Sequence, residues 1–411
     1  MKILFVDAYF FPETIAFTHL EHDLIESLIE QGHDIQVVCP VPTRGVSSQT
    51  VKEYRAKKHE KLYSDRVSVE RFWAPQEGKN PIVRAFRYFW CNLREYQIAK
   101  KYSDVDVVFS VSTPPTQGLI AGKIAKKLKC PLVYSLQDVF PDSLVTSGLA
   151  KRNSILWKIG RKIENDTYKN AAQIIVISDS MKQNILEKGV SQGKITVIPN
   201  WIDTNAVKPV EKNENKLYED FKVSRDKFTV VYAGNFGAAQ GADVVLHAAE
   251  RLKDYSDIQF VIFGGGAGFD AAKNEVANKK LSNVTINGLL PRDRVSEVYS
   301  LGDIALITCK KGVGTSGMPS KTWSIMACNT PIIASFDTDS ELAAIVAHAR
   351  AGMCTEPGNP SALADAIVQW YRCNNKQYTC KSRQYVVANA SKEVCVDQYI
   401  KCLCKNSIKK D

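Results

Sequence analysis

Short apolar runs alternate with amphipathic segments along most of the chain. In the first half, Ile3–Val6, Asp34–Cys39, Val67–Phe72, Val105–Val111, Leu132–Leu136, Ile174–Ile177 and Ile195–Pro199 read as strands bounded by turns or caps. Segments between them, such as His19–Gln31, carry helical spacing, and Gly32 stands where that helix should stop. Val- and Ile-rich strands separated by helices predict a parallel sheet buried on both faces. The pattern breaks over 200–215, which is polar, Pro-punctuated and charged, and reads as a linker. A second array follows with Phe228–Ala233, Ile258–Phe263, Val284–Asn287, Ile304–Thr308, Pro331–Ala334 and Gly352–Thr355. The expected fold class is therefore α/β, with two doubly wound domains and ligands at the carboxyl ends of their strands.

Composition narrows this little. A length of 411 residues exceeds one ordinary core and fits two domains. With 45% hydrophobic and 24% charged residues the chain has a soluble globular composition. The 54 Lys and Arg exceed the 44 Asp and Glu, which favours anionic partners: nucleotides, phospholipid headgroups or nucleic acid. The 11 cysteines show no zinc spacing and read as buried, reduced thiols of a cytoplasmic protein. MKILFVDAYFFPE reaches Asp7 too soon for a signal peptide, and no run approaches the ~18 apolar residues of a membrane span. Any membrane contact is then expected from the side.

The candidate chemistry follows strands. After Phe228–Ala233, Gly234, Gly237 and Gly241 permit a close turn into a helix, where free N–H groups suit a phosphate; a purely structural turn reads equally well. Gly264, Gly265 and Gly266 follow the next strand and would let a backbone approach a nucleotide. Gly312, Gly314 and Gly317 then precede Met318-Pro319-Ser320-Lys321. Ser320 is a plausible N-cap for a helix over Lys321–Cys328. Lys321, in its first turn, would join a cation to a positive helix end, which makes sense around an anion. Arg292 reads as a weaker addition or as a surface arginine. In the first half, Ser112, Thr113, Gln137, Asp138 and Asp142 lie at strand ends, where a second substrate should bind. Asp138 is the candidate acid, base or hydroxyl-orienting group, or else a loop cap. The segment 81–101 mixes Arg84, Arg87, Arg94, Lys100 and Lys101 with Phe86, Tyr88, Phe89 and Trp90. It reads either as a membrane-surface helix or as one packed on its own sheet. No recognisable nucleic-acid module accompanies it.

Together these blocks resemble glycosyltransferase family 4, enzymes of GT-B fold, and within it the bacterial fucosamine-type branch of O-antigen and capsule assembly. SVSTPPTQGLIAG, SLQDVFPDS, KITVIPNWID, VYAGNFGAAQGADVVLHAAE, IFGGGAG, NGLLPRDRVSEVYSLGDIALI and MPSKTWSIMACNTPIIASFD carry the likeness, which covers nearly the whole chain. The resemblance implies two Rossmann-like domains facing a cleft. Residues 1–205 would bind a lipid-linked or glycan acceptor, joined by a terminal helical stretch at 382–411. Residues 206–381 would hold a nucleotide-sugar, with UDP as the expected nucleotide and an N-acetylated amino sugar in view. It also implies retention of configuration, no metal and no cofactor, with Lys321 and the Gly234–Gly241 turn stabilising the leaving diphosphate.

The chain departs from the family at several positions. Many relatives carry a glutamate pair where this sequence has Ser316 and Ser324, and no glutamate lies between Glu297 and Glu341. Glu341 is the substitute candidate. Asn235 and Gln240 replace a basic pair, Gln137 stands where a histidine often precedes Asp138, and the first loop, Thr14–Phe17, lacks glycines. Two other readings stay open: a nucleotide-sugar-binding partner subunit without transfer activity, and a UDP-sugar 2-epimerase, which shares the fold.

Overall fold

The computed structural model describes every residue except 14, 16, 79, 147–149, 315–317, 374–379 and 409–411. Two compact units emerge: Met1–Asn200 with Cys395–Asp411, and Trp201–Val394.

The first unit is built on β1 (Lys2–Val6), β2 (Asp34–Pro40), β3 (His59–Leu62), β4 (Val67–Phe72), β5 (Val107–Val111), β6 (Leu132–Leu136), β7 (Gln173–Val176) and β8 (Ile195–Val197). Their order across the sheet is β3-β4-β2-β1-β5-β6-β7-β8. Leu4, Val38, Val108, Leu132 and Ile174 project from the central strands into a core shared with Ile120 and Ile124 of the helix Gln117–Leu128. The all-parallel expectation needs one correction: β3 pairs antiparallel with β4. Its HEKL sequence has no apolar run to read, and such charged short strands suit an exposed sheet edge.

The second unit contains β9 (Phe228–Asn235), β10 (Ile258–Gly265), β11 (Val284–Gly288), β12 (Ile304–Thr308), β13 (Ile332–Ser335) and β14 (Gly352–Thr355). All pair in parallel, in the order β11-β10-β9-β12-β13-β14. In both sheets the chain order reverses beside the first strand, between β1 and β5 and between β9 and β12. A doubly wound sheet opens a crevice at such a point, outside the carboxyl ends of its strands.

The expected linker is not a free tether. Trp201 and Val207 are buried, and Asn215 is fully enclosed, donating to Glu297 O at 2.7 Å and accepting from Leu217 N at 3.0 Å. The second unit accordingly starts at Trp201. The helix Ser382–Asn389 also stays with that unit, because Arg383 donates to Thr204 O at 2.8 Å and to Val207 O at 3.2 Å. Only from Cys395 does the chain rejoin the first unit. There the Tyr399 hydroxyl meets Ser135 Oγ at 3.0 Å and its ring packs edge-on against Phe109.

Candidate functional site

In the second unit, β9 and β10 end side by side, with Gly264 opposite Gly234 and Gly265 opposite Asn235. The chain leaving β9 folds back over these ends. Phe236 N donates to Gly265 O at 2.7 Å, and Gly268 N to Phe236 O at 2.9 Å. Further along, Thr308 Oγ1 donates to Gln240 O at 2.7 Å and Lys310 N to Ala239 O at 3.0 Å. The Gly234–Gly241 turn is thereby sealed onto the end of β12. Gly241, at φ +55°, lies against the Cys309 carbonyl.

Lys321 enters from the helix Lys321–Ala327. Its Nζ donates to Ala233 O at 2.7 Å and sits 4.6 Å from the centre of the Tyr232 ring. A Cβ on Gly234 would overlap that Nζ, so the glycine is what admits the lysine. Burial pushes the Lys321 ammonium down to about 8. An ammonium has three donors, and among the described residues Lys321 meets a single hydrogen-bond acceptor. The remaining capacity suits a bound anion. Asn235 and Gln240 gather over the same turn: a Cβ on Gly237 would lie 2.6 Å from Gln240 Oε1 and 3.2 Å from Asn235 Nδ2. Asn235 Oδ1 also fills the space beside Gly266, whose φ is +93°.

The loop after β12 is held by a residue that the sequence reading passed over. Asp337 accepts from Gly312 N at 2.9 Å and from Gly314 N at 2.8 Å. Its signal was only an aspartate following a strand. Ser316 and Gly317 lie outside the described residues, as does Thr14 of the first loop. Met318 and Pro319 are half-buried, and Ser324 lies half-buried within the Lys321 helix. Ser320 occupies the expected cap position but has helical backbone angles and forms no side-chain cap bond. Glu341 opens the helix Glu341–His348 after β13, where the true cap is Ser340 Oγ, accepting from Ala343 N at 3.3 Å. Arg292 stands exposed after β11, the outermost strand, away from the β9–β12 reversal.

In the first unit a cavity of about 610 Å³ opens beside the β1–β5 reversal, lined by Asp7, Tyr9, Glu21, Arg44, Thr113, Gln137 and Asn200 among others. Ser112 Oγ accepts from Gln137 N at 2.9 Å, and Asn200 Nδ2 donates to Gln137 Oε1 at 2.8 Å. Thus Thr113 and Gln137 reach the cavity and Ser112 positions Gln137. Asp138 does not line it; exposed, it borders a small crevice with Glu164 and Tyr168. Asp142 is engaged elsewhere, by Lys188 Nζ at 2.7 Å and Asn184 Nδ2 at 3.2 Å. Burial opposes its ionisation, but these partners prevail and hold its carboxyl below the ordinary range. Buried Glu13 fastens the rim by accepting from Thr43 N and Arg44 N, each at 2.8 Å.

The helix Pro81–Ala99 keeps part of the expected basic face: Arg84 is exposed and Arg94 half-buried, whereas Arg87 is withdrawn from it. Arg87 is buried and donates to Pro75 O, while Arg84 meets Glu77 at 3.5 Å and Tyr88 Oη at 3.1 Å. Exposed beside Arg84 are the apolar Ile82, Val83, Phe86, Phe89 and Leu93. Among the described residues no helix is long and apolar enough to cross a membrane.

Comparison with known proteins matches both units to one class. Residues 21–206 match the Glycosyltransferase Family 4 model, and residues 213–393 match Glycosyl transferases group 1. WbjE of Pseudomonas aeruginosa, named as a glycosyltransferase, is 25% identical over 344 residues, 83% of this chain and 86% of that protein. WcaI of Escherichia coli (strain K12), named for colanic acid biosynthesis, is 23% identical over 97% of this chain and 99% of its own. HepE of Anabaena, solved with UDP, superposes with a TM-score of 0.72 at 17% identity, covering 98% of this chain and 100% of HepE. Sucrose-phosphate synthase of Thermosynechococcus elongatus gives 0.70 at 17% identity and 98% coverage of both chains. With each half matching its counterpart in one enzyme family, the chain belongs to the group 1/family 4 glycosyltransferases, retaining, nucleotide-sugar-dependent enzymes of GT-B fold.

Proposed function

We propose that this enzyme takes a sugar from a UDP-linked donor, an N-acetylated amino sugar of the fucosamine type, and passes it to a lipid-linked or glycan acceptor. The setting is cell-surface polysaccharide assembly (O-antigen, capsule or exopolysaccharide) at the cytoplasmic face of the membrane. The observation that carries the donor half is the Lys321 ammonium, seated in the space left by Gly234 with one carbonyl acceptor among the described residues. As the glycosidic bond breaks, negative charge builds on the leaving diphosphate. On this reading the Lys321 ammonium, with N–H groups of the Gly234–Gly241 turn, would receive that charge. That diphosphate helps to take the acceptor proton, so sugar transfer and proton transfer balance without a metal or cofactor.

Around this centre, Asn235, Gln240 and the Gly264–Gly266 loop would border the nucleotide, with Met318, Pro319, Ser320 and Ser324 along the entry to the Lys321 helix. Glu341 is proposed to bind ribose or donor-sugar hydroxyls. Arg292 is the least supported member, being exposed at the outer strand. The acceptor would occupy the first unit's cavity, where Thr113 and Gln137 stand. HepE, solved with UDP and with UDP-glucose, supports the nucleotide, and WcaI supports the pathway class. A peripheral membrane contact through 81–101 is supported by its outward Ile82, Phe86 and Phe89.

The test is a panel of nucleotide-sugars given to the purified full chain with a lipid-linked acceptor. Release of UDP with a glycosylated, configuration-retaining product is expected. Tight UDP binding with no transfer from any donor would favour a partner subunit. Donor isomerisation without acceptor would favour an epimerase.

A further inference from the structure

Asp7 and Glu21 line the first unit's cavity, yet among the described residues no cation pairs with them. Asp7 directly follows β1 and Glu21 lies in the first turn of the helix Thr18–Glu30; they are 3% and 2% exposed. Asp7 Oδ1 accepts from Val111 N at 3.2 Å. Among the described residues Asp7 Oδ2 and Glu21 Oε1 receive no donor, and the two carboxyls meet one another. The charged neighbours are occupied elsewhere. Arg71 donates to Phe11 O, Arg87 to Pro75 O, and Glu95 takes its hydrogen bond from Gln117 Nε2. Glu13 is engaged by the Thr43 and Arg44 amides, while Cys39 on β2 and Cys91 are neutral thiols raised by burial.

Two touching carboxyls cannot both stay ionised away from water, so they share a proton. Held without a cation, such a pair weakens the fold. It becomes favourable when a ligand brings groups that both donate and accept. Neighbouring saccharide hydroxyls do so, and the cavity, about 610 Å³, lies within the usual range for a small-ligand site. Tyr9, whose hydroxyl donates to Glu77 at 2.8 Å, and Arg44, stacked 5.8 Å above the Tyr9 ring, frame the opening.

We propose that Asp7 and Glu21 form a proton-sharing carboxyl pair that grips neighbouring hydroxyls of the acceptor saccharide. This rests on the transferase reading above and names the acceptor contact that the strand-end residues left unassigned. Burial holds Asp7 at about 7 and Glu21 well above the ordinary carboxyl range. The pair therefore keeps a proton at neutral pH, and the grip weakens as the pH rises and it is lost.

The test uses Asp7→Asn and Glu21→Gln, which keep shape but cannot share a proton, and Thr18→Trp, which fills the cavity from its half-exposed rim. With saturating donor, each should raise the acceptor KM about tenfold or more while the donor KM stays within about twofold. The two amide variants should also flatten the acceptor KM against pH. Unchanged acceptor KM in variants that fold would overturn the pair while leaving the transferase reading intact. If Asp7→Asn does not fold, Glu21→Gln and Thr18→Trp decide the matter. If the wild-type chain transfers nothing, that reading fails and direct binding decides the pair. Saturation-transfer NMR with methyl glycosides should show signals in the wild type that the variants lose. Signals kept by the variants, or absent from the wild type, would overturn it.

Discussion

Lys321 and Gly234 contend for one position: the lysine ammonium occupies the space where a side chain on residue 234 would begin. The ammonium is held there by Ala233 O at 2.7 Å and by the Tyr232 ring. A glycine that looks like a turn residue in the sequence is a receptacle in the structure.

Lys321→Ala should weaken UDP binding about 10- to 100-fold, the range for losing a charge-assisted hydrogen bond to a buried anion. Lys321→Arg should recover little, because a planar guanidinium does not fit a pocket shaped by the missing Gly234 side chain. Calorimetric titration of UDP into each variant measures both effects.

Gly234→Ala should reproduce part of the Lys321→Ala defect without unfolding the protein. The overlapping atom is the far end of a flexible side chain, so the lysine moves and the strand does not. A loss of about 1–2 kcal/mol in UDP affinity is expected, with a melting temperature close to wild type. Gly266→Ala should behave differently. Its φ of +93° and the Asn235 side chain beside it would strain the backbone itself. Comparing the two melting curves separates these cases.

Lys321 also sets a pH dependence. Burial lowers its folded value to about 8, so the free protein carries the ammonium below pH 8 and loses it above. UDP affinity should be level up to about pH 8 and then fall with rising pH. Stability runs the other way, because the amine is more easily protonated in the unfolded chain. The penalty for burying a charge is present below pH 8 and relieved as pH rises toward the ordinary lysine value of 10.5. Lys321→Met should therefore be more stable than wild type at pH 7, by about 1–3 kcal/mol at most, in denaturant unfolding.

The helix Pro81–Ala99 makes a further prediction. Phe86→Ser with Phe89→Ser should cut cosedimentation with anionic vesicles, since both rings face outward. Arg87→Glu should instead fail to fold stably, because Arg87 is buried against Pro75 O. Vesicle binding left intact by the double serine variant would remove this helix as the anchor.

How far the sequence was legible follows from what each element buries. Strands such as Val107–Val111 and Ile304–Thr308 are buried at every position, so their continuous apolar runs announce them. β3 is charged and half-exposed and announces nothing. The glycine loops and Lys321 could be read because the loops follow apolar strands and the lysine opens a helix. The Asp7–Glu21 pair could not: one looks like the polar end of a strand, the other like a solvent-facing helix position. Only the tertiary packing of the helix Thr18–Glu30, which lies against β2, brings them together. Arg87 misled for the converse reason, since a buried arginine and a membrane-facing one have the same helical spacing. Asp142 read as an available carboxylate, and a lysine far along the chain had already claimed it.

The central claim is that the second unit holds a diphosphate through Lys321 and the Gly234–Gly241 turn. Binding of UDP, UMP and uridine to the full chain, measured side by side at pH 7, tests it most directly. UDP should bind at least about tenfold tighter than UMP, and uridine weaker still, with the UDP advantage abolished in Lys321→Ala. Equal affinity for UDP and UMP, or a UDP advantage that survives Lys321→Ala, would contradict it.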